Sequence, residues 1–239
     1  AERVLGLAAA SLSEHVAYIY KKQLEEAEIV VINKCDLVDA PRLARLREAL
    51  TAVAPRAVIH ECSARDGIGV EPWFERMLGE TSKASAIAEI DYDEYAHGES
   101  LLGWLNAEVL VGAADAEEFD GTATIVEILS RIREAVARAG HEIAHMKGTL
   151  SVDGDPYELD AANLVRTADA PAVSHRLADP VDIGRLLINL RAEAPPEDLE
   201  AAVREAIGGL ASGLPCTILH LEHFRPGRPV PTHRLAARS

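Results

Sequence analysis

Two short polar clusters hold the residues of this sequence that could do chemistry together. The first is Asn33-Lys34-Cys35-Asp36; the second, about thirty residues on, is Ser63-Ala64-Arg65-Asp66-Gly67. A carboxylate such as Asp36 has two acceptor oxygens, so it can take two parallel hydrogen bonds from a ligand edge that carries adjacent N–H donors. The amide of Asn33, the long cation Lys34, the Ser63 hydroxyl and the Ala64 backbone N–H complete the candidate set. Asn33, Lys34, Asp36, Ser63 and Ala64 are the expected binding residues, and no catalytic residue or metal ligand is assigned.

The elements around the clusters decide whether they can meet. Ser11 followed by Glu14 is a capping-box pattern, and Val16, Ile19, Tyr20, Gln23 and Leu24 follow at helical spacing. Ile29-Val30-Val31-Ile32 is a continuous run of β-branched residues, which predicts a strand buried on both faces. Asp39 caps a helix with Pro41 in its first turn and Leu43, Leu46, Leu50 and Val53 on one stripe. Ala57-Val58-Ile59 predicts a second strand, and a helix is expected from about Val70 to Leu78. Helix, strand, helix, strand, helix is part of a doubly wound parallel sheet, an α/β arrangement whose ligands sit at the carboxyl ends of the strands. Both polar clusters fall at such ends.

Asn-Lys-x-Asp after a buried strand resembles the guanine-recognition motif of GTPases. Ser-Ala followed by a glycine after the next strand resembles the companion loop on the other side of the base. Chance alone puts Asn-Lys-x-Asp at roughly one position in 8,000, and the second loop at the right strand end makes coincidence rarer still. On this resemblance Asp36 accepts from the N1 and exocyclic amino donors of guanine, a pair that adenine lacks. The aliphatic stem of Lys34 lies over the base, Asn33 ties neighbouring loops, and the Ala64 N–H donates to the guanine O6.

A phosphate-binding G-x-x-x-x-G-K-[ST] loop is not found in the sequence, which has no Gly-Lys pair. The run from Ser13 to Ala27 leading into the strand and Asn-Lys-x-Asp resembles the CobW/HypB/UreG family of P-loop GTPases, in its CobW-like branch. The resemblance is strong over about residues 11–80 and architectural beyond. It implies GTP and Mg²⁺ as ligands, GTP hydrolysis by the parent protein, and metal or cobalamin-related cofactor handling for a metalloenzyme client. The Walker A lysine, the switch residues and the Cys-x-Cys-Cys metal motif of that branch have no counterpart here. The expectation is a carboxyl-terminal portion of such a GTPase, inactive alone because phosphate positioning and Mg²⁺ supply most of phosphoryl-transfer catalysis. Two alternatives are a split enzyme completed by a P-loop-bearing partner chain and a non-enzymatic binding module.

Residues 1–80 thus form the half-domain with the base loops, and 81–100 an acidic linker. Residues 101–223 read as an α+β, ferredoxin-like domain of the CobW C-terminal type, and 224–239 as a Pro/Arg-rich tail. Strands are expected near Leu101–Val111, Glu142–Val152, Ala161–Ala168, Arg185–Arg191 and Cys216–His223, with helices over about Thr122–Ala139 and from Pro195 to Gly208. Regular alternation sets Leu219 and Leu221 against Cys216, Ile218, His220 and Glu222, and sets Ala144, Met146 and Leu150 against Ile143, His145 and Lys147. His145 and His220 then share the open face on opposite edge strands, about 14 Å apart, too far for one metal.

The chain has 239 residues, 48% hydrophobic and 26% charged, which excludes wholesale disorder, collagen and coiled coil. Such a length buries enough surface to need no disulfide or metal staple. Residues 1–85 carry 11 basic and 13 acidic side chains, residues 86–223 carry 9 and 26, and the last sixteen carry four arginines and no acid. That acidic surface disfavours nucleic acid and anionic membranes as partners. Three scattered cysteines and no membrane-length apolar run lead to the expectation of a soluble cytoplasmic protein.

Overall fold

In the computed structural model, which describes Leu5 and residues 13–79, 92–113, 117–152, 158–210 and 213–227, the chain divides into two units. One comprises residues 1–98 and 228–239, the other residues 99–227. Ser11, the acidic stretch up to residue 91 and the end of the tail lie outside the described residues.

In the first unit α1 spans Glu14–Glu26, and Ser13 caps it by accepting from the Val16 N–H at 3.4 Å. Val16 and Ile19 are its buried face. β1 (Ile29–Asn33) leads into a 3-10 turn over Cys35–Leu37 and then α2 (Ala40–Val53), where Asp39 accepts from the Arg42 N–H at 2.7 Å. β2 (Val58–Cys62) follows, then α3 (Val70–Gly79). β1 and β2 pair in parallel from Ile29↔Val58 to Asn33↔Cys62. Ile32, Leu46 and Leu50 form a small core. The expected two-sided burial of the β1 run is not found: Ile32 is buried, while Ile29, Val30 and Val31 are half-buried. Among the described residues β1 has one neighbouring strand, and that is too little sheet to cover both faces.

A helix, α4 (Tyr92–Leu101), occupies the segment read as a connector, and the division between the units falls within it. On its first-unit side His97 meets His15 edge to face, ring centroids 4.5 Å apart.

The second unit runs β3 (Leu102–Gly112), α5 (Gly121–Arg138), β4 (Glu142–Ser151), β5 (Leu159–Leu164), β6 (Ala172–His175), β7 (Ile183–Glu193), α6 (Pro196–Gly208) and β8 (Cys216–Phe224). Its six strands form one antiparallel sheet in the order β6-β5-β4-β7-β3-β8. Helix α5 packs over β4 and β5, α6 packs over β3 and β8, and the two helices touch. Ile125, Ile128, Leu129 and Ile132 of α5 and Leu199 and Val203 of α6 are buried against alternate residues of β3 and β7. At the start of α5 the buried Asp160 of β5 accepts from the Leu177 N–H at 3.0 Å and from the Thr122 hydroxyl.

Three expectations about this sheet need correction. On β4 the register passes from Ile143 to His145, so Ala144 is an extra residue and Ile143 faces the core with Met146 and Leu150. On β8 the register passes from Ile218 to His220, which throws Leu219 outward, 48% exposed, and puts Cys216 and Ile218 on the side of Leu221. Each bulge inverts the phase of strict alternation. Finally, β4 is not an edge, because β5 and the unanticipated β6 extend the sheet past it. No helix among the described residues is long and apolar enough to cross a membrane.

Candidate site at two parallel strand ends

Parallel pairing with Asn33 opposite Cys62 brings the two clusters out side by side. The link between them is one side chain. Asn33 Oδ1 accepts from the Lys34 N–H at 2.8 Å, the Ala64 N–H at 3.1 Å and the Cys62 thiol at 3.6 Å. Since the amide oxygen takes these donors, Nδ2 is the end of Asn33 that can donate to a ligand. The Ala64 N–H, expected to meet a ligand oxygen, is held by Asn33 instead. Lys34 bends the chain sharply with φ 63° and ψ 37°, the left-handed region that non-glycine residues rarely adopt. Strain of this kind clusters at functional sites. Its side chain is exposed.

The second loop is built around Ser63, which is 1% exposed. Its N–H donates to the Ile68 carbonyl at 2.9 Å, its hydroxyl donates to Asp66 Oδ2 at 2.9 Å, and the Asp66 N–H returns to the hydroxyl at 3.4 Å. Gly67 and Gly69 close the turn with φ of 72° and 68°. At Gly69 a Cβ would stand 2.2 Å from the Glu61 carbonyl oxygen, so only glycine fits. Behind the loop Arg47 ties α2 to β2 through Glu61 at 2.7 Å and the Ile59 carbonyl at 3.3 Å.

Asp36 faces this loop. The Ser63 hydroxyl, whose single proton can turn to Asp36 or to Asp66 but not to both at once, is the chief cause that lowers the Asp36 carboxyl below the ordinary range; partial desolvation opposes, and its own backbone N–H and Arg65 assist. Arg65 Nη2 lies 3.3 Å from Asp36 Oδ2, and Arg65 Nε lies 3.8 Å from Asp66 Oδ1. The arrangement therefore presents an ionised acceptor at one end, an amide stapling two loops in the middle, and flanking exposed apolar side chains, Leu37 and Ile68. Arg65 and Asp66 were not singled out as functional by sequence. Their signal was a charged pair directly after Ser-Ala, which a motif defined by its fixed positions passes over.

No family model matches the chain, and no curated protein matches it. Solved structures that resemble it include the Zn(II)-bound YjiA GTPase from E. coli, at 13% identity, and a Zn(II)-bound triple mutant of the YjiA GTPase, at 15%. Each comparison covers 78% of this chain and 54% of the other, with a TM-score of 0.28, so the chain spans about half the length of those proteins. Likeness at that level carries no argument about fold or function. The chain is mixed α/β, one unit with a parallel strand pair and one with an antiparallel sheet. Among the described residues no group of three or more His, Cys, Asp or Glu side chains is placed to hold a metal ion.

Proposed function

We propose that the two strand-end loops recognise a guanine base and that the chain is part of a GTP-binding protein of the CobW-like kind. The observation that carries the proposal is the Asn33 staple, which holds the Asn-Lys-x-Asp and Ser-Ala loops together with an ionised Asp36 beside them. On this reading Asp36 accepts from guanine N1–H and the exocyclic amine, while the Lys34 stem covers a base face and Asn33 Nδ2 meets a ring acceptor. Adenine offers no matching donor pair, so the carboxylate would be left desolvated without partners.

These residues reach only the base. Hydrolysis of GTP with Mg²⁺ would need phosphate-cradling groups beyond them, so GTPase activity, a P-loop-bearing partner and a metalloenzyme client are further parts of the proposal, as is a cytoplasmic setting. The order β4-β7-β3-β8, with α5 and α6 as its crossovers, supports a ferredoxin-like reading of the second unit, with β5 and β6 as an inserted hairpin.

The test is Asp36→Asn. Exchanging one acceptor for a donor should lower affinity for the guanine base by about a hundredfold, the scale of a charge-assisted hydrogen-bonded pair left unmade, and raise affinity for the xanthine analogue. Calorimetry with GTP and XTP reads both changes. Equal GTP affinity in both proteins would remove the guanine assignment.

A further inference from the structure

Of the candidate binding groups, Asp36 is the one beside a cation. The Arg65 guanidinium sits 3.3 Å from Asp36 Oδ2 while its side chain keeps 67% of its accessible surface, so it is held by charge rather than by packing. The Asp36 side chain keeps 18%, and the guanidinium is one of the groups at its carboxylate, on the oxygen Oδ2. Guanine's N1–C2–N2 edge is chemically a guanidine, with two N–H donors on one carbon. Arginine carries donors of the same kind, and its Nη2 already donates to the same acceptor. Asp66 stands ready on the other side. Its Oδ2 lies 2.9 Å from the Ser63 hydroxyl, and its Oδ1 lies 3.8 Å from Arg65 Nε.

We propose that Arg65 is an intramolecular competitor of the base: its guanidinium occupies Asp36 in the free site and passes to Asp66 when guanine binds. The inference rests on the guanine reading of the site. The affinity of the site is then set by an exchange, with one guanidine-like edge displacing another, and Arg65 and Asp66 are positioning residues that act through Asp36. An exposed ion pair is weak, so the brake is mild: its release is worth about three- to fivefold in affinity. Charge screening also weakens it, so the brake fades as salt rises.

The sign of the effect separates this from simple attraction. A cationic Arg65 beside an anionic nucleotide should help binding, and its removal should hurt. A competitor predicts the reverse. The experiment follows the backbone amides of Asp36 and Ala64 by NMR in the full 239-residue chain during titration with GMP. Arg65→Ala should bind GMP about three- to fivefold more tightly than the parent at low salt, with the gap closing at high salt. In the Asp36→Asn background, titrated with XMP, the same substitution should change nothing, because a neutral amide no longer holds the guanidinium. Unchanged or weaker GMP binding by Arg65→Ala, with Asp36→Asn still selective for xanthine, overturns the competitor and leaves the guanine reading standing. No response of either amide to GMP, or an Asp36→Asn protein that binds GMP like the parent, overturns both.

Discussion

Among the described residues the two units differ in how much apolar packing each carries. In the second, twenty-five of the described residues are buried in one cluster in which α5 and α6 cover β3, β4 and β7, with Leu105, Ile132, Ile188 and Leu199 at 0–1% exposure. In the first, the core around β1 among the described residues is Ile32, Leu46 and Leu50, Val16 and Ile19 of α1 are buried as well, and Phe74, Met77 and Leu78 of α3 are 43–87% exposed. Order at the strand ends there comes from hydrogen bonds instead: Asn33 across the loops, Ser63 within one of them. A core fixed by packing is specific in bulk and tolerant of surface change. A loop pair fixed by a few polar contacts holds chemical groups in place at small thermodynamic margin, which suits a binding site.

That contrast is open to a direct break. Ile188, at 0% exposure on the central strand β7, should cost about 3–4 kcal/mol when cut to Ala, from lost transfer energy plus the cavity. Val31→Ala on the half-buried β1 should cost about 1 kcal/mol or less. The two tryptophans allow each unit to be watched alone, since Trp73 lies in the first and Trp104 in the second. With Trp73→Phe as the background, Trp104 fluorescence in urea reports the second unit; with Trp104→Phe, Trp73 reports the first. The first unit should melt at lower urea, and Ile188→Ala should move only the Trp104 transition. One coincident transition at both tryptophans would show a single cooperative molecule and end the comparison.

Where the sequence was readable follows the same division. Helical stripes such as Ile125, Ile128, Leu129 and Ile132 were legible because an 18-residue helix repeats its signal several times. Strand faces were not, because one extra residue, Ala144 or Leu219, reverses the phase and leaves no mark in composition. The four residues of β6 were too few to carry a pattern. At the candidate site, residue types and the parallel strand ends were legible. The bonding was less so: the Ala64 N–H meets Asn33, and Arg65 pairs with Asp36, contacts between residues that lie about thirty apart in the chain.

A smaller effect sharpens the account of the first unit. Gly67 and Gly69 both have positive φ, but a Cβ at Gly67 meets open space while one at Gly69 meets the Glu61 carbonyl. Gly67→Ala should therefore cost about 1 kcal/mol, the backbone penalty alone. Gly69→Ala should cost on the order of 2–3 kcal/mol, because the loop must also move off β2. The Ser63 N–H to Ile68 carbonyl bond lies across that turn. Its amide should lose hydrogen-exchange protection in Gly69→Ala and keep it in Gly67→Ala. Equal loss in both would mean that φ alone, and not the close approach, decides the turn.

The smallest expected effect is electrostatic and lies in the second unit. Glu200 on α6 accepts from Arg204 at 2.8 Å and pairs with His223 of β8 at 2.9 Å. Its carboxyl is held below the ordinary range chiefly by the Arg204 hydrogen bond, with partial desolvation opposing and His223 assisting. A folded-state value below the unfolded one means that the unfolded chain binds the proton more tightly. The contribution to stability is therefore complete above the ordinary carboxylate value of about 4.3 and is lost as pH falls through the lower folded value. Glu200→Gln should thus unfold at slightly lower urea than the parent near neutral pH, read by Trp104 in the Trp73→Phe background. On acidification the two curves should draw together and coincide once the parent carboxyl is protonated. A gap that holds constant into the acid range would assign the difference to packing of the side chain rather than to its charge, leaving the Asp198–His141 and Glu205–Arg138 pairs as the polar contacts of α6.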